Sequence, residues 1–228
     1  MERDDWNAMW SGRGDAAHHH DHDHDHGEEE RPHHGTEPEA LLVELAAGLA
    51  PGRALDLGCG LGSNAIWLAS QGWQVRAVDF ADEALRIAGD RARGDDVAVD
   101  FVPGDLRTYR DDAVFDLVTL FYVHFAGVEQ QDLLARAAAM VAPGGRLLFV
   151  GHDRSDRDKI DLFLEHQLGD AEPTAEDRAR VEAMLSVPEE VAEEFPGLAI
   201  ERAEVVLADG HGHGEAAPTT VVQAQRRD

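Results

Sequence analysis

Residues Ala54–Ala69 read ALDLGCGLGSNAIWLA. A short apolar run enters three glycines at alternate positions, Gly58, Gly60 and Gly62, and a helical pattern follows them. Glycines there let the chain turn tightly and let a ligand touch bare backbone. The N-terminus of the following helix adds donors for a ligand's negative group.

The same alternation continues outward. Apolar, β-prone runs at 53–58, 74–79, 97–102, 115–123 and 146–151 are separated by helical patterns near 63–71, 82–93 and 129–141. Strand followed by helix, repeated, predicts an α/β fold with a parallel sheet covered on both faces, and right-handed crossovers place the helices on alternate sides. Upstream, Leu41, Leu42, Leu45 and Leu49 recur at helical spacing over 39–49. Downstream, 155–186 is polar and helix-prone and reads as a helical cover. Runs at 198–207 and 219–225 flank the loop ADGHGHGEAAP and predict an antiparallel hairpin at one edge. The expectation is a doubly wound, mostly parallel seven-stranded sheet over 39–228, preceded by an N-terminal segment, 1–38.

Two cofactor classes compete for the glycine turn. A dinucleotide fingerprint wants a third glycine where this chain has Ser63. Asp56 stands two residues before the first glycine, where a carboxylate suits an ammonium better than a pyrophosphate. Asp79, at the end of the next strand, can accept both hydroxyls of a ribose, and Asp105 follows the third strand, where an acid could meet an adenine amino group. An NAD-dependent oxidoreductase therefore stays behind as an alternative.

Five motifs in order carry a resemblance. LDLGCGLG, AVDF, VPGDL, FDLVTLFYVHF and VAPGGRLLFVGHD resemble the successive motifs of the class I S-adenosylmethionine-dependent methyltransferases. WNAMW, GSNAIWLASQGWQVRAVDF and GLAIERAEVV are similar, more narrowly, to small bacterial enzymes of the tellurite-resistance and thiopurine-methyltransferase type. The resemblance implies that Asp56, Gly58 and Gly60 hold the methionine part of S-adenosylmethionine and that Asp79 holds the ribose. It also implies that Phe80 lies against adenine, with Asp105 and Leu106 at the adenine edge and Phe121 beside them. Trp6 and Trp10 would fold over the cofactor. The implied activity is methyl transfer to a small molecule. The Asn/Asp-Pro-Pro-Tyr-type motif of amine methylation is missing, since the chain reads LFYVHF, and the favoured acceptor is a thiol or a chalcogen or metalloid compound. Such a nucleophile ionises near neutral pH and needs no strong base.

Acceptor-facing residues belong at the carboxyl ends of the fourth and fifth strands. Those positions hold Tyr122, His124 and His152, the candidate catalytic residues. Phe121 and Phe125 read as core residues rather than as walls of an acceptor cage. Cys59, the only cysteine, reads as a small residue in a tight turn rather than a nucleophile, and it excludes an intrachain disulfide.

The chain carries 46 acidic and 20 basic residues for a formal charge of −26. So acidic a surface repels phosphate backbones and anionic lipid, so no nucleic-acid or membrane partner is expected. The sequence has no stretch like a secretion signal, and a cytoplasmic monomer or homodimer is expected. The segment 15–38 holds eight of the thirteen histidines and no large aliphatic residue, so it cannot build a core. In an extended chain His22, His24 and His26 share one face. With His18 and His20 they form a candidate site for zinc, nickel or copper. That run supports the second alternative, a metal-handling protein on a methyltransferase fold.

Overall fold

A computed structural model describes residues 37–169, 171–209 and 216–227. The readings placed on Trp6, Trp10, His18, His20, His22, His24, His26, His211 and His213 lie outside the described residues. Seven strands, β1 (Arg53–Leu57), β2 (Gln74–Asp79), β3 (Val99–Pro103), β4 (Phe115–Phe121), β5 (Val141–His152), β6 (Ala199–Ala208) and β7 (Ala217–Gln225), form one sheet. Their order is β3-β2-β1-β4-β5-β7-β6. β1 to β5 run parallel, and β7 joins antiparallel between β5 and β6. This is the mostly parallel, doubly wound sheet with an antiparallel edge that the alternation predicts; β6, not β7, is the outer strand.

Period-two alternation sorts the core into two layers. Leu55 and Leu57 of β1 point to one face, where they cluster with Leu133, Leu134 and Ala137 of α4 (Val128–Ala139). Ala54 points to the other face, toward Leu42 and Leu45 of α1 (Ala40–Ala46) and Ala65 and Leu68 of α2 (Ser63–Ser70). α3 (Asp82–Gly94) packs along β2 and β3. Burial on both faces explains why the strands are nearly continuous in apolar residues. Leu134 is 1% exposed, and truncating such a leucine to alanine costs about 3 kcal/mol.

Three local departures have physical causes. The helix expected over 39–49 ends at Ala46, where Gly48 takes a φ of +82° and turns the chain toward β1. The fifth strand begins at Val141, earlier than the apolar run, because Pro143-Gly144-Gly145 bends within it and the pairing with β4 shifts register between Phe115 and Leu117. The cover is built of α5 (Arg157–Leu168) and α6 (Ala175–Glu182), followed by α7 (Pro188–Glu193). Hydropathy gives no sign of α7, whose Pro188 occupies the first turn, where its missing N–H costs nothing. The Asp156 carboxylate caps α5 by accepting the Lys159 N–H at 3.0 Å, and Thr174 and Asp177 cap α6 reciprocally. Ile160, Leu164, Val181 and Leu185 give the charged cover a small core of its own.

Candidate active site

β1 pairs with both β2 and β4, and the chain leaves it in opposite directions, so a crevice opens beyond its carboxyl end. A cavity of about 450 Å³ occupies this place. A wider, open groove of about 1020 Å³ lies at the other end of β2 and β3, around Trp73, Val97 and Val99. It lacks the glycine turn.

The wall under β1 and β2 is mostly backbone. The N–H groups of Gly58 and Cys59 donate to the Val78 carbonyl at 2.8 and 3.1 Å, which ties the turn to β2. Gly58 has φ +82°, and a Cβ there would lie 2.7 Å from Val123 Cγ2. Gly60 has φ +50° and open space where a Cβ would point. Its N–H donates to Asp79 Oδ2 at 2.9 Å, and the Ala81 N–H donates to Asp79 Oδ1 at 2.9 Å. Asp79 thus fixes the shape of the turn and still carries lone pairs for a ligand. Burial raises its carboxyl above the usual range, against the pull of these N–H groups.

Asp56 is 2% exposed. Its Oδ1 accepts the Thr119 hydroxyl at 2.8 Å, across the β1–β4 pair. Its Oδ2 is buried with no hydrogen-bond partner among the described residues. Burial pushes its carboxyl up to about 6, the Thr119 hydroxyl works against that, and the charge of Asp79 adds to it. A buried carboxylate oxygen without a donor is costly, and a ligand ammonium would satisfy it. An orphaned acceptor, a turn that excludes any Cβ at Gly58, and an acid at the end of β2 fit an amino-acid-bearing nucleoside. They fit a pyrophosphate poorly.

Phe80, Asp105, Leu106 and Phe121 all line the cavity. Asp105 is gripped by Arg107, whose Nη2 donates to Oδ2 at 2.8 Å and whose Nε reaches Oδ1 at 3.0 Å. Arg107 also lines the cavity, a participant that no motif position announces. Burial, then the negative charges of Asp56 and Asp79, raise the Cys59 thiol well above its usual range, which keeps it protonated and unreactive.

The opposite wall is made of side chains. Tyr122 and His124 line the cavity. His152 is not on its surface; it stacks behind His124 with ring centroids 5.3 Å apart and an interplanar angle of 7°, and it meets Tyr122 at 4.8 Å. Tyr122 has φ +52°, uncommon for a bulky residue and held here by its N–H donating to Val150 O at 2.7 Å. Burial raises its phenol above the usual range. Burial, and then the positive charge of Lys159, push His124 down to about 4, so it is neutral at pH 7. Behind this wall Phe163 of α5, which does not line the cavity, meets the imidazoles edge-on, 5.3 Å from His124 and 6.1 Å from His152. Phe163, like Asp209 at the end of β6, is a residue sequence reasoning missed. It comes from the cover, and only helical phase, read with knowledge of what α5 packs on, could have found it. Among the described residues no group of three His, Cys, Asp or Glu side chains is placed to hold a metal ion. Nor is any helix there long and apolar enough to cross a membrane.

Fold and site together are similar to those of the class I, S-adenosylmethionine-dependent methyltransferases. Residues 54–145 match the family model described as a methyltransferase domain. Over 124 residues the chain is 32% identical to a ubiquinone biosynthesis O-methyltransferase of Burkholderia multivorans, covering 53% of this chain and 53% of that protein. The chain thus spans about half the length of the curated relatives it matches. Among solved structures, the protein reported under "Conversion of a Disulfide Bond into a Thioacetal Group during Echinomycin Biosynthesis" is similar with a TM-score of 0.67 and 21% identity. That match covers 86% of this chain and 84% of the other. TehB from Haemophilus influenzae has a TM-score of 0.63 at 15% identity, over 82% of this chain and 62% of its own. The N-methyltransferase NodS from Bradyrhizobium japonicum, in complex with S-adenosyl-L-homocysteine, has a TM-score of 0.60 at 15% identity, over 82% and 85%. At these identities the structural likeness establishes the fold.

Proposed function

We propose that this chain methylates a small-molecule acceptor, a thiol or a chalcogen or metalloid compound, using S-adenosylmethionine. The observation that carries this reading is the buried Asp56 Oδ2 with no donor among the described residues, set beside a turn with room only for glycine at position 58. When bound, S-adenosylmethionine supplies an activated methyl group on a positively charged sulfur. Asp56 would accept its ammonium, the bare Gly58–Gly60 backbone would lie against its amino-acid part, and Asp79 would accept the ribose hydroxyls. Phe80, Leu106 and Phe121 would enclose the adenine, with Asp105, steadied by Arg107, at its edge.

The acceptor preference follows from the other wall. With a pKa near 4, His124 is too weak a base to take a proton from an alcohol or an ammonium. It can orient an acceptor by hydrogen bonding, with His152 fixing its ring by stacking and Tyr122 beside it. An acceptor that has already lost its proton to solvent needs no more than alignment and exclusion of water. A soft thiolate or chalcogenide meets that condition; the thioacetal named for one structural neighbour is sulfur chemistry too.

Labelled methyl transfer from S-adenosylmethionine to a panel of thiols, selenite, tellurite, amines and small carboxylates tests this. Transfer to a soft acceptor, with amines inert, is expected. Tight adenosylhomocysteine binding with turnover of amines or small carboxylates alone would overturn the acceptor assignment; no binding would overturn the whole reading.

A second reading concerns the histidine run. Glu37, which follows it, and Asp209, which precedes the His211 loop, both line the cavity. We therefore propose that zinc, nickel or copper is captured beside the site, with His18, His20, His22, His24 and His26 as ligands. Calorimetric titration of each metal into the full chain and into a 18–34 deletion tests it: equal binding by both would sink the proposal.

A further inference from the structure

Asp56 meets a hydroxyl that has two acceptors for one proton. Thr119 stands opposite Asp56 in the β1–β4 pair. Alternation puts both side chains on the face that carries Ala54, Leu117 and Phe121. Both are buried, Thr119 completely. Thr119 Oγ1 lies 2.8 Å from Asp56 Oδ1 and 3.3 Å from the Leu55 carbonyl oxygen. A hydroxyl donates once, and its oxygen can accept as well. Asp56 Oδ2 has no partner among the described residues.

This geometry accommodates Asp56 in either charge state. When Asp56 is ionised, Thr119 donates to Oδ1, and Oδ2 is left for a donor carried by a ligand. When Asp56 is neutral, its proton sits on Oδ1 and is donated to Thr119 Oγ1, while the hydroxyl turns its own proton to Leu55 O. A valine of the same shape can do neither, and it leaves a buried oxygen without a partner.

The titratable groups facing Asp56 from the neighbouring elements offer no such exchange. Asp79 of β2 opposes its ionisation by charge, and its oxygens accept the Gly60 and Ala81 N–H groups. Burial keeps the proton on Cys59 in the turn and on the Tyr122 phenol beyond β4, and it keeps His124 neutral. Glu37 and Glu39, ahead of α1, bring further carboxylates to the cavity rather than donors.

We propose that Thr119 is the positioning residue of the ammonium site: its hydroxyl turns from Leu55 O to Asp56 Oδ1 as Asp56 gives its proton to solvent and the ligand ammonium takes that proton's place at the carboxylate. This rests on the methyltransferase reading for the ligand, and it adds the residue that sets the pH range of binding. Removing a donor to the ionised form raises the carboxyl further, by about one pH unit. Affinity is then lost where Asp56 has become neutral and kept where it is still ionised.

The full chain is titrated calorimetrically with adenosylhomocysteine across about pH 5 to 8, below the range in which the ligand's own ammonium titrates, for wild type, Thr119→Val, Thr119→Cys and Thr119→Ser. Thermal melting checks that each variant is folded, and cysteine, a weak donor of similar size, guards against loss of the valine variant to misfolding. Thr119→Val should bind about five- to tenfold more weakly than wild type near pH 6 and within about twofold of it near pH 8. Thr119→Cys should move the profile less in the same direction, and Thr119→Ser should restore the wild-type midpoint. Valine and cysteine profiles that keep the wild-type midpoint, or that fall equally at every pH, would overturn the proposal and leave Thr119 a packing residue. A serine profile displaced as far as that of valine would overturn it too. Failure of the methyltransferase reading shows separately, as absence of adenosylhomocysteine binding by wild type.

Discussion

The two walls of the cavity are built in different ways. The β1–β2 wall is local: Asp56, Gly58, Gly60 and Asp79 lie within 24 consecutive residues, and its ligating surface is mainly backbone held by one carboxylate. The β4–β5 wall gathers Tyr122, His124, His152 and Phe163 from three elements, with the rings of Tyr122 and His124 on the surface and those of His152 and Phe163 packed behind them. A backbone wall demands particular residues at particular spacings, because only glycine tolerates the conformation. A side-chain wall can be assembled many ways. The contrast teaches that one wall serves a fixed ligand and the other can be varied to suit an acceptor.

The largest effect should come from the backbone wall. Gly58→Val puts branched carbon where a Cβ already meets Val123 at 2.7 Å. Adenosylhomocysteine binding should weaken more than about 100-fold, some of it through strain at positive φ. Gly60→Ala, with open space at its Cβ, should lose far less, and calorimetry on the pair separates close approach from strain. Equal losses would mean that the turn is only a structural bend.

Asp56→Asn should cost about 10- to 100-fold in adenosylhomocysteine affinity, as expected for a lost charge-assisted hydrogen bond in a buried site. It should also remove a pH dependence. Free Asp56 titrates near 6, and an ammonium bound beside it favours the ionised form. Wild-type affinity should therefore rise with pH up to about 7 and then level, with protons released on binding near pH 6. A pH-flat wild type would exclude Asp56 as the ammonium partner.

The side-chain wall should respond differently. Phe163→Ala should raise the acceptor KM roughly tenfold, for loss of a packed aromatic edge, with adenosylhomocysteine affinity unchanged. If both fall together, the two walls are one cooperative unit and the contrast fails.

The histidine contributes to stability rather than to ligand affinity, and its contribution is linked to pH. The pKa of His124 is depressed from the usual 6.5 to about 4. Below pH 6.5 the unfolded chain binds a proton that the native state refuses, so stability is lost as pH falls toward 4, by up to about 1.4 kcal/mol per pH unit. His124→Phe should flatten that part of a denaturation series between pH 7 and 4.5. An unchanged slope would mean that His124 is solvated.

How much of this was legible in advance varied along the chain. The strand–helix alternation and the glycine turn set the sheet and the cofactor wall, because period and spacing are properties of the sequence itself. The three residues chosen at the ends of β4 and β5 were chosen by position alone. The structure does bring them together, with His152 placed behind His124 rather than on the surface. Arg107 was missed because its partner, Asp105, is claimed by a motif while the arginine is not. Phe163 was missed because a polar, charged helix gives no hint of which face it turns inward.

The amino-acid order by itself determined a doubly covered parallel sheet, a turn that only glycine can make, and carboxylates at the ends of β1 and β2. Each depends on contacts between near neighbours or on backbone conformation. Only the tertiary structure decided that Phe163 of α5 packs on the histidines at the ends of β4 and β5 and that one imidazole stacks behind another. Those outcomes depend on packing between segments tens of residues apart, where many arrangements have similar local propensity and burial selects among them.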